Sequence, residues 1–398
     1  MSRLTLFHVG FLFLILFFTT TAKAQKEAET FNVDSTLYEY YQRCQECLLE
    51  PVVLNMSDTL FRMAGERQDE RMQAVAIATQ LDYYYFQGTN EDSVIHYTNK
   101  VKEFAKATHQ PKYYYFAWAN RLITYYLKTS RTNIALYEVQ NMLKEAQEED
   151  DKTGLSRCYN IMSQIYTIKR FDSMAFEWRL KEIELTEKYK IENYNISQTY
   201  AQIANYYINQ KKQKEALAAV EKAIATANSS TQQISAKLEF VNYYSKFGDF
   251  QAAEKLLKEC QAAFEQDKRL ESIKKRLYNI ECLYYQQTKQ YQKALEAAKM
   301  QEKEERRLSE SILSSIHYRT QGEIYQKMGN MNLAVKYLQM YINTDDSLKI
   351  ANEQVSSSEF ATLLNVEKLN AEKKELMLQA QEKELHNKTT LIISLIIL

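Results

Sequence analysis

Along the 398-residue chain the apolar positions follow three different rules, and each predicts a different kind of element. At the two ends they are nearly uninterrupted: Leu4 to Phe18 near the start, and the uncharged, mostly aliphatic run Thr389 to Leu398 at the end. Between them they recur with a long period. A small residue marks the same place in each unit, at Val53, Val94, Ala135, Ala175, Ala216, Ala253, Ala294 and Ala334, with spacings of 41, 41, 40, 41, 37, 41 and 40. Nine residues before each mark stand Cys44, Tyr85, Tyr126, Tyr166, Tyr207, Tyr244, Tyr285 and Tyr325. A period of this length, with the Tyr on one helix and the Ala on the next, predicts stacked helical hairpins that bury their apolar faces only against their neighbours.

From Ala351 to Lys388 the rule changes again. Leu364, Ala371, Leu378 and Leu385 recur every seven residues, but the companion positions three later are Glu367, Lys374, Gln381 and Lys388. The run predicts one long helix with half of a coiled-coil seam, which either pairs with a second copy as a homodimer or lies against the last repeat.

Composition sharpens the helical reading. Only seven Gly and two Pro occur, while Ala, Glu, Lys, Gln and Leu are abundant, so the fold class is all-α. Pro51 and Pro111 each stand where a helix could begin rather than inside one.

The Tyr-to-Ala offset of nine resembles the tetratricopeptide repeat, in which an aromatic on the first helix packs over a small residue on the second. Further marks agree: an aromatic seven before the Tyr at Tyr159, Tyr200, Tyr278 and Tyr318, and Gly four after it at Gly248 and Gly329, where the inter-helix turn belongs. The resemblance covers roughly residues 34 to 350. It implies a right-handed α-solenoid of about eight such hairpins, and the residue pattern after 350 adds a long C-terminal helix expected to enter the membrane. The family's period is about 34, so longer second helices and connectors are expected here, and the pitch is left open.

The two ends set the expected compartment. Arg3, the fifteen-residue stretch Leu4 to Phe18 and then Ala22-Lys23-Ala24 have the order of a secretory signal, with an uncleaved anchor as the competing reading. The final ten residues reach about 15 Å as a helix against a hydrocarbon core of about 30 Å, and read as a transmembrane helix cut short. The expected division is therefore a signal peptide (1–24), the repeats (25–350), a juxtamembrane helix (351–388) and part of a membrane helix (389–398). The repeats would then be periplasmic, anchored in the inner membrane, and whatever followed Leu398 would emerge inside. Without the signal, 49 basic residues stand against 51 acidic ones, which gives no electrostatic reason to expect nucleic acid.

The chemistry-bearing motifs are missing. No phosphate-cradling Gly-rich loop, nucleophile elbow or H-E-x-x-H occurs, and His96, His109, His317 and His386 are isolated from one another. Ser272-Ile273-Lys274-Lys275 matches S-x-x-K with no partner motif. Five cysteines cannot all pair, and Cys44-x-x-Cys47 lacks both a second pair and a nearby His, so these thiols, with Cys260 and Cys282, are expected in packing. The clusters Tyr83-Tyr84-Tyr85-Phe86 and Tyr113-Tyr114-Tyr115-Phe116 are expected to pack too, because consecutive helical residues point in different directions. No enzyme, cofactor or metal is expected.

Asp34-Ser35-Thr36, Asp58-Thr59-Leu60, Asp92-Ser93-Val94, Asp172-Ser173-Met174 and Asp346-Ser347-Leu348 resemble the O-glycosylation triplet of exported Bacteroidota proteins. Helix N-capping is the competing reading, with Asp92 and Asp172 at the starts of second helices.

In the tetratricopeptide register the polar residues facing the concave surface are Asn120, Asn160, Gln164, Gln202, Asn205, Asn242, Asn279 and Arg319, either as a ligand groove or as a solvated face. Asn205 and Asn242 match the Asn with which some such domains clamp a peptide's terminal carboxylate, but Ala201 and Leu238 stand where the clamp needs Lys.

Glu359-Phe360, Leu369-Asn370-Ala371-Glu372-Lys373 and Asn387-Lys388-Thr389-Thr390-Leu391-Ile392-Ile393 resemble the end of the periplasmic half of tetratricopeptide sensor histidine kinases and related one-chain regulators of Bacteroidota. The resemblance implies a sensory domain, and the composition of the groove allows a periplasmic protein, peptide or glycan as its partner. The family's phosphoacceptor His, followed by Glu and Pro, has no counterpart, since no Pro follows Pro111. The alternative is a periplasmic scaffold that gathers other proteins and sends no signal.

Overall fold

The computed structural model describes residues 33–347, apart from 89, 192, 194 and 309–314, together with positions 356, 375, 378, 379 and 383. The leader, the run from 351 to 388 apart from those few positions, and the apolar tail 389–398 lie outside the described residues, as does His386.

Among the described residues the chain is a succession of helical hairpins with no strand. The first three hairpins are Ser35–Glu46 (α1) with Val52–Glu66 (α2), Glu70–Gln87 (α3) with Glu91–Ala107 (α4), and α5 with Thr132–Glu148 (α6). The helix α5 is continuous but composite: Pro111–Tyr115, a π-helical stretch Phe116–Ile123, then Thr124–Lys128. Next come Lys152–Ile168 (α7) with Asp172–Tyr189 (α8), Ile196–Asn209 (α9) with Gln213–Ala225 (α10), and Ser230–Phe247 (α11) with Phe250–Gln266 (α12). Lys274–Gln287 (α13), led in by a 3-10 turn at Lys268–Ile273, pairs with Tyr291–Leu308 (α14), and Ser315–Lys327 (α15) pairs with residues 331–347 (α16).

All eight small marks are buried in these hairpins: Val53, Val94, Ala135, Ala216, Ala253 and Ala294 have no exposed surface, Ala175 has 1 % and Ala334 2 %. The methyl group of the six alanines, or the compact valine at Val53 and Val94, lets the second helix close on its neighbours, and a longer side chain would have to push a helix away. The aromatic marks do a second job at the hairpin turns. The carbonyl of each of Tyr126, Tyr166, Tyr207, Tyr244, Tyr285 and Tyr325 accepts the amide five residues on, at 2.8–3.0 Å. The residue four after the Tyr takes the left-handed conformation that such a wrap requires. Gly248 (φ 92°) and Gly329 (φ 78°) do so as expected, but Ser130, Arg170, Lys211 and Lys289 do the same at φ 58–62°.

The chain divides into two compact units, Met1–Ile161 and Met162–Leu398, the boundary falling inside α7. In the first unit, Leu37, Cys44, Val53, Leu60 and Met72 form one core, and successive first helices touch, α1 with α3 and α3 with α5. In the second, α9 packs on α11 and α11 on α13, around Tyr200, Ile203 and Tyr243 and then around Leu238, Leu257 and Ile280. Each pair is thus buried by its neighbours.

Several local expectations can be placed. Cys44, Cys158, Cys260 and Cys282 are buried, and Cys47 is half-buried just past the end of α1. Tyr85, Tyr114 and Tyr115 are buried in packing, while Phe86 is exposed. The capping explanation for the Asp-Ser/Thr triplets needs correcting. Asp34 does cap α1, accepting from the Leu37 amide at 3.1 Å. Asn90 caps α4 instead of Asp92, α8 has no side-chain cap, and Asp58 and Asp346 lie within helices. Among the described residues no helix is long and apolar enough to cross a membrane.

Candidate binding cavity

The second unit contains an open cavity of about 510 Å³ where α8, α9, α11 and α13 face one another. Its floor is organised by a carboxylate. Glu239, in the middle of α11, is only 2 % exposed, flanked by the apolar Leu238 and Phe240. A carboxylate in such a place must be fully paired. Asn242, one turn on, donates from Nδ2 to Glu239 Oε1 at 2.8 Å. Asn205, from α9, donates to the same oxygen at 3.1 Å and in turn accepts from Asn209 at 3.1 Å. Arg276, from α13, closes on the other oxygen, Nη2 to Oε2, at 2.9 Å. Three successive first helices are therefore tied together through one acid.

Another part of the lining is built differently. Arg179, on α8, is half-buried beside this network and lines the cavity. Its Nε donates to Gln202 Oε1 and its Nη2 to Thr167 Oγ1, both at 2.8 Å. Both acceptors are neutral, and burial pulls the Arg179 guanidinium below its ordinary pKa. A second cavity of about 550 Å³ lies along α9, α11 and α13, and shares Ala201, Arg276 and Asn279 with the first. Ser272 lines it, but its hydroxyl donates to the Arg269 carbonyl at 3.1 Å, a turn contact.

The structure places the eight groove residues unequally. Gln202, Asn205 and Asn279 line the first cavity, and Asn242 stands behind them on Glu239. Asn279 is exposed and has no hydrogen-bond partner among the described residues. Gln164 is exposed and Asn160 half-buried on α7, neither of them lining this cavity. Asn120 belongs to the first unit, where its Oδ1 accepts from Arg157 at 3.1 Å. Arg319, on α15, sits 3.6 Å from Glu323 on its own helix face. The residues that organise the cavity, Arg179, Glu239 and Arg276, were not among the eight. Register could have found Glu239, since it stands five before Tyr244 as Gln202 stands five before Tyr207.

The first unit has a smaller cavity, of about 330 Å³, lined by Lys106, His109, Tyr114, Tyr115, Glu145 and Glu149. Its charges are engaged with one another: Lys106 bridges Glu145 at 3.2 Å and Glu149 at 2.9 Å, and Tyr114 donates to Glu145 at 2.6 Å. Among the described residues no group of three or more His, Cys, Asp or Glu is placed to hold a metal ion.

No family model and no curated protein matches the chain. Among solved structures it is similar to the quorum sensor NprR from B. thuringiensis in its apo form, at 14 % identity and a TM-score of 0.49 over 80 % of this chain and 91 % of that one. A Rap protein complexed with Competence and Sporulation Factor shares 15 % identity at a TM-score of 0.47, covering 82 % and 92 %. A tetratricopeptide repeat protein from Parabacteroides merdae shares 11 % at 0.42, covering 81 % and 99 %. None of the three reaches a TM-score of 0.5.

Proposed function

We propose that the second unit is a peptide- or protein-binding module whose ligand lies in the cavity formed by α8, α9, α11 and α13. The observation that carries this reading is the arrangement of polar groups there. Amides and guanidinia from successive helices converge on an open space of about 510 Å³, within the 300–1,000 Å³ of ordinary ligand sites. Amide and guanidinium groups suit an extended chain, whose carbonyls and carboxylates need donors. Nothing in that lining pairs a nucleophile with a base, so the reading is recognition rather than catalysis. The test is a photo-crosslinking residue in place of exposed Asn279, with a second at exposed Glu265, which lines neither cavity of this unit. Adducts with a defined peptide segment from Asn279 and none from Glu265 are the expected result; equal yields would remove the cavity from consideration.

We further propose that this module works outside the cytoplasm, as the sensory domain of a membrane-anchored signal-transduction protein similar to Bacteroidota sensor kinases. The support is the leader-like run Leu4 to Phe18, the apolar run Thr389 to Leu398 and the motifs between Glu359 and Ile393. A repeat array suits the task because a ligand held by several neighbouring helices biases how they stack. With Glu265 replaced by Cys and Cys47 by Ser, a membrane-impermeant maleimide should label intact spheroplasts; labelling only after lysis would place the repeats inside. If labelling succeeds but ligand occupancy alters no downstream output, the non-signalling scaffold is the better description.

A further inference from the structure

Resting on the reading that this cavity takes a peptide, we infer that Arg179 docks a carboxylate of the ligand, from either its C-terminus or an Asp or Glu side chain. The inference starts from what is already used up. Asn205, Asn242 and Arg276 would each suit a guest carboxylate, but all three donate to Glu239, the protein's own. Arg179 is different. A guanidinium carries five N–H donors, and its bonds to Gln202 and Thr167 occupy only two. Both Nη1 protons and one on Nη2 remain, and among the described residues no carboxylate lies within the 4.0 Å of an ion pair. The fields of Glu182, one turn on along α8, and to a lesser extent of Asp172, which lines the same cavity, reach Arg179, but neither carboxylate makes an ion pair with it.

A half-buried cation whose hydrogen bonds both go to neutral acceptors, with carboxylates near but none paired to it, is a poor arrangement for stability alone. It becomes a favourable one when a planar, bidentate anion completes it, and the fork of an arginine matches a carboxylate edge to edge. Gln202 and Thr167 hold the fork in place, so little side-chain freedom would be lost on docking. Asp172 keeps weaker anions away and would have to be outcompeted.

The test uses the full chain in detergent and three pools of random N-acetylated octapeptides, with retained peptides identified by mass spectrometry after size exclusion. One pool has a free C-terminal carboxyl and no Asp or Glu, one is amidated and contains Asp and Glu, and one is amidated and lacks both. Retention from the first or second pool but not the third is expected, and which of the two is retained names the source of the carboxylate. Arg179→Gln should weaken the retained peptides about tenfold or more, and Arg179→Lys should recover part of the loss. Asp172→Asn should tighten them about two- to threefold, a gain that misfolding cannot imitate. Equal retention from the third pool, or undiminished binding by a folded Arg179→Gln, would overturn the carboxylate inference and leave peptide binding standing. Should Arg179→Gln fail to fold, the absence of any tightening in Asp172→Asn overturns it instead. No retention from any pool overturns both.

Discussion

The guanidinium of Arg276 meets the carboxylate of Glu239 at 2.9 Å across 37 residues of sequence, joining two successive hairpins. Glu239 is the more buried partner, with 3 % of its side chain exposed against 26 % for Arg276. Removing the cation leaves a desolvated carboxylate held by two amides, so Arg276→Met should cost about 3 kcal/mol. Glu239→Gln keeps an acceptor for Asn205 and Asn242 and should cost about 1–2 kcal/mol. The double variant should lose less than the sum of the two. Urea unfolding of the four proteins would show this, and strict additivity would mean that the pair is not coupled.

A second prediction concerns the hairpin turns. Lys211 (φ 58°) and Lys289 (φ 60°) hold the left-handed position that glycine fills at Gly248 and Gly329. A Cβ in that region costs about 1–2 kcal/mol, part of which glycine gives back through the greater freedom of the unfolded chain. Lys289→Gly and Lys211→Gly should each stabilise by about 0.5–1 kcal/mol, read as a higher urea midpoint. A lower midpoint in both would mean that the lysine side chains contribute more than the backbone conformation costs.

These turns also show what was legible in the sequence. The hairpins could be read because their packing is repeated: a small position recurs eight times and a tyrosine nine before it seven times, and repetition separates signal from composition. Glycine marks the turns at Gly88, Gly248 and Gly329, but no glycine announces the left-handed residue at Ser130, Arg170, Lys211 and Lys289, where the wrap around the preceding Tyr carbonyl sets it. The π-helical stretch Phe116–Ile123 left no mark in the periodicity either. In the cavity, register brings out Gln202, Asn205 and Asn279 and also reaches Glu239, five before Tyr244, but a lone acid in a helix reads as solvent-facing until its partners from neighbouring helices are known. Those partners lie 34 and 37 residues away. Arg179 stands on a second helix, whereas the eight residues of the concave register all stand on first helices.

Gly154 gives a prediction for the first unit. A methyl group there would come within 2.4 Å of the ring and hydroxyl of Tyr115, which is 1 % exposed and cannot swing away. Alanine would ordinarily favour a helix such as α7 by about 1 kcal/mol. Here the overlap should reverse the sign, so Gly154→Ala should destabilise by about 1–3 kcal/mol. Restoring space with Tyr115→Phe, which removes the hydroxyl but not the ring, should recover only part of that loss. Thermal unfolding of the three variants decides it, and a raised Tm for Gly154→Ala would rule the packing argument out.

The last prediction is a pH dependence centred on Lys102. Its ammonium sits 3.1 Å over the Trp118 ring, whose indole N–H donates to Glu138 at 2.8 Å. Burial pulls its pKa from an ordinary 10.5 to about 8, against the opposing pull of Glu145 and Glu138, while the neighbouring Lys106 lowers it further. Between pH 8 and 10.5 the folded chain therefore holds fewer protons at this site than the unfolded one, and stability rises with pH through that window. Below pH 8 the charged form is retained in the fold at a steady cost. Lys102→Met, which keeps the contact with Trp118 and discards the charge, should gain on the order of 1–3 kcal/mol at pH 7, and the gain should shrink as pH approaches 10. Urea unfolding of both proteins at pH 7, 8.5 and 10 measures that difference directly. A gain that stays constant with pH would show that Lys102 is solvated in the fold and that the Trp118 contact does not desolvate it.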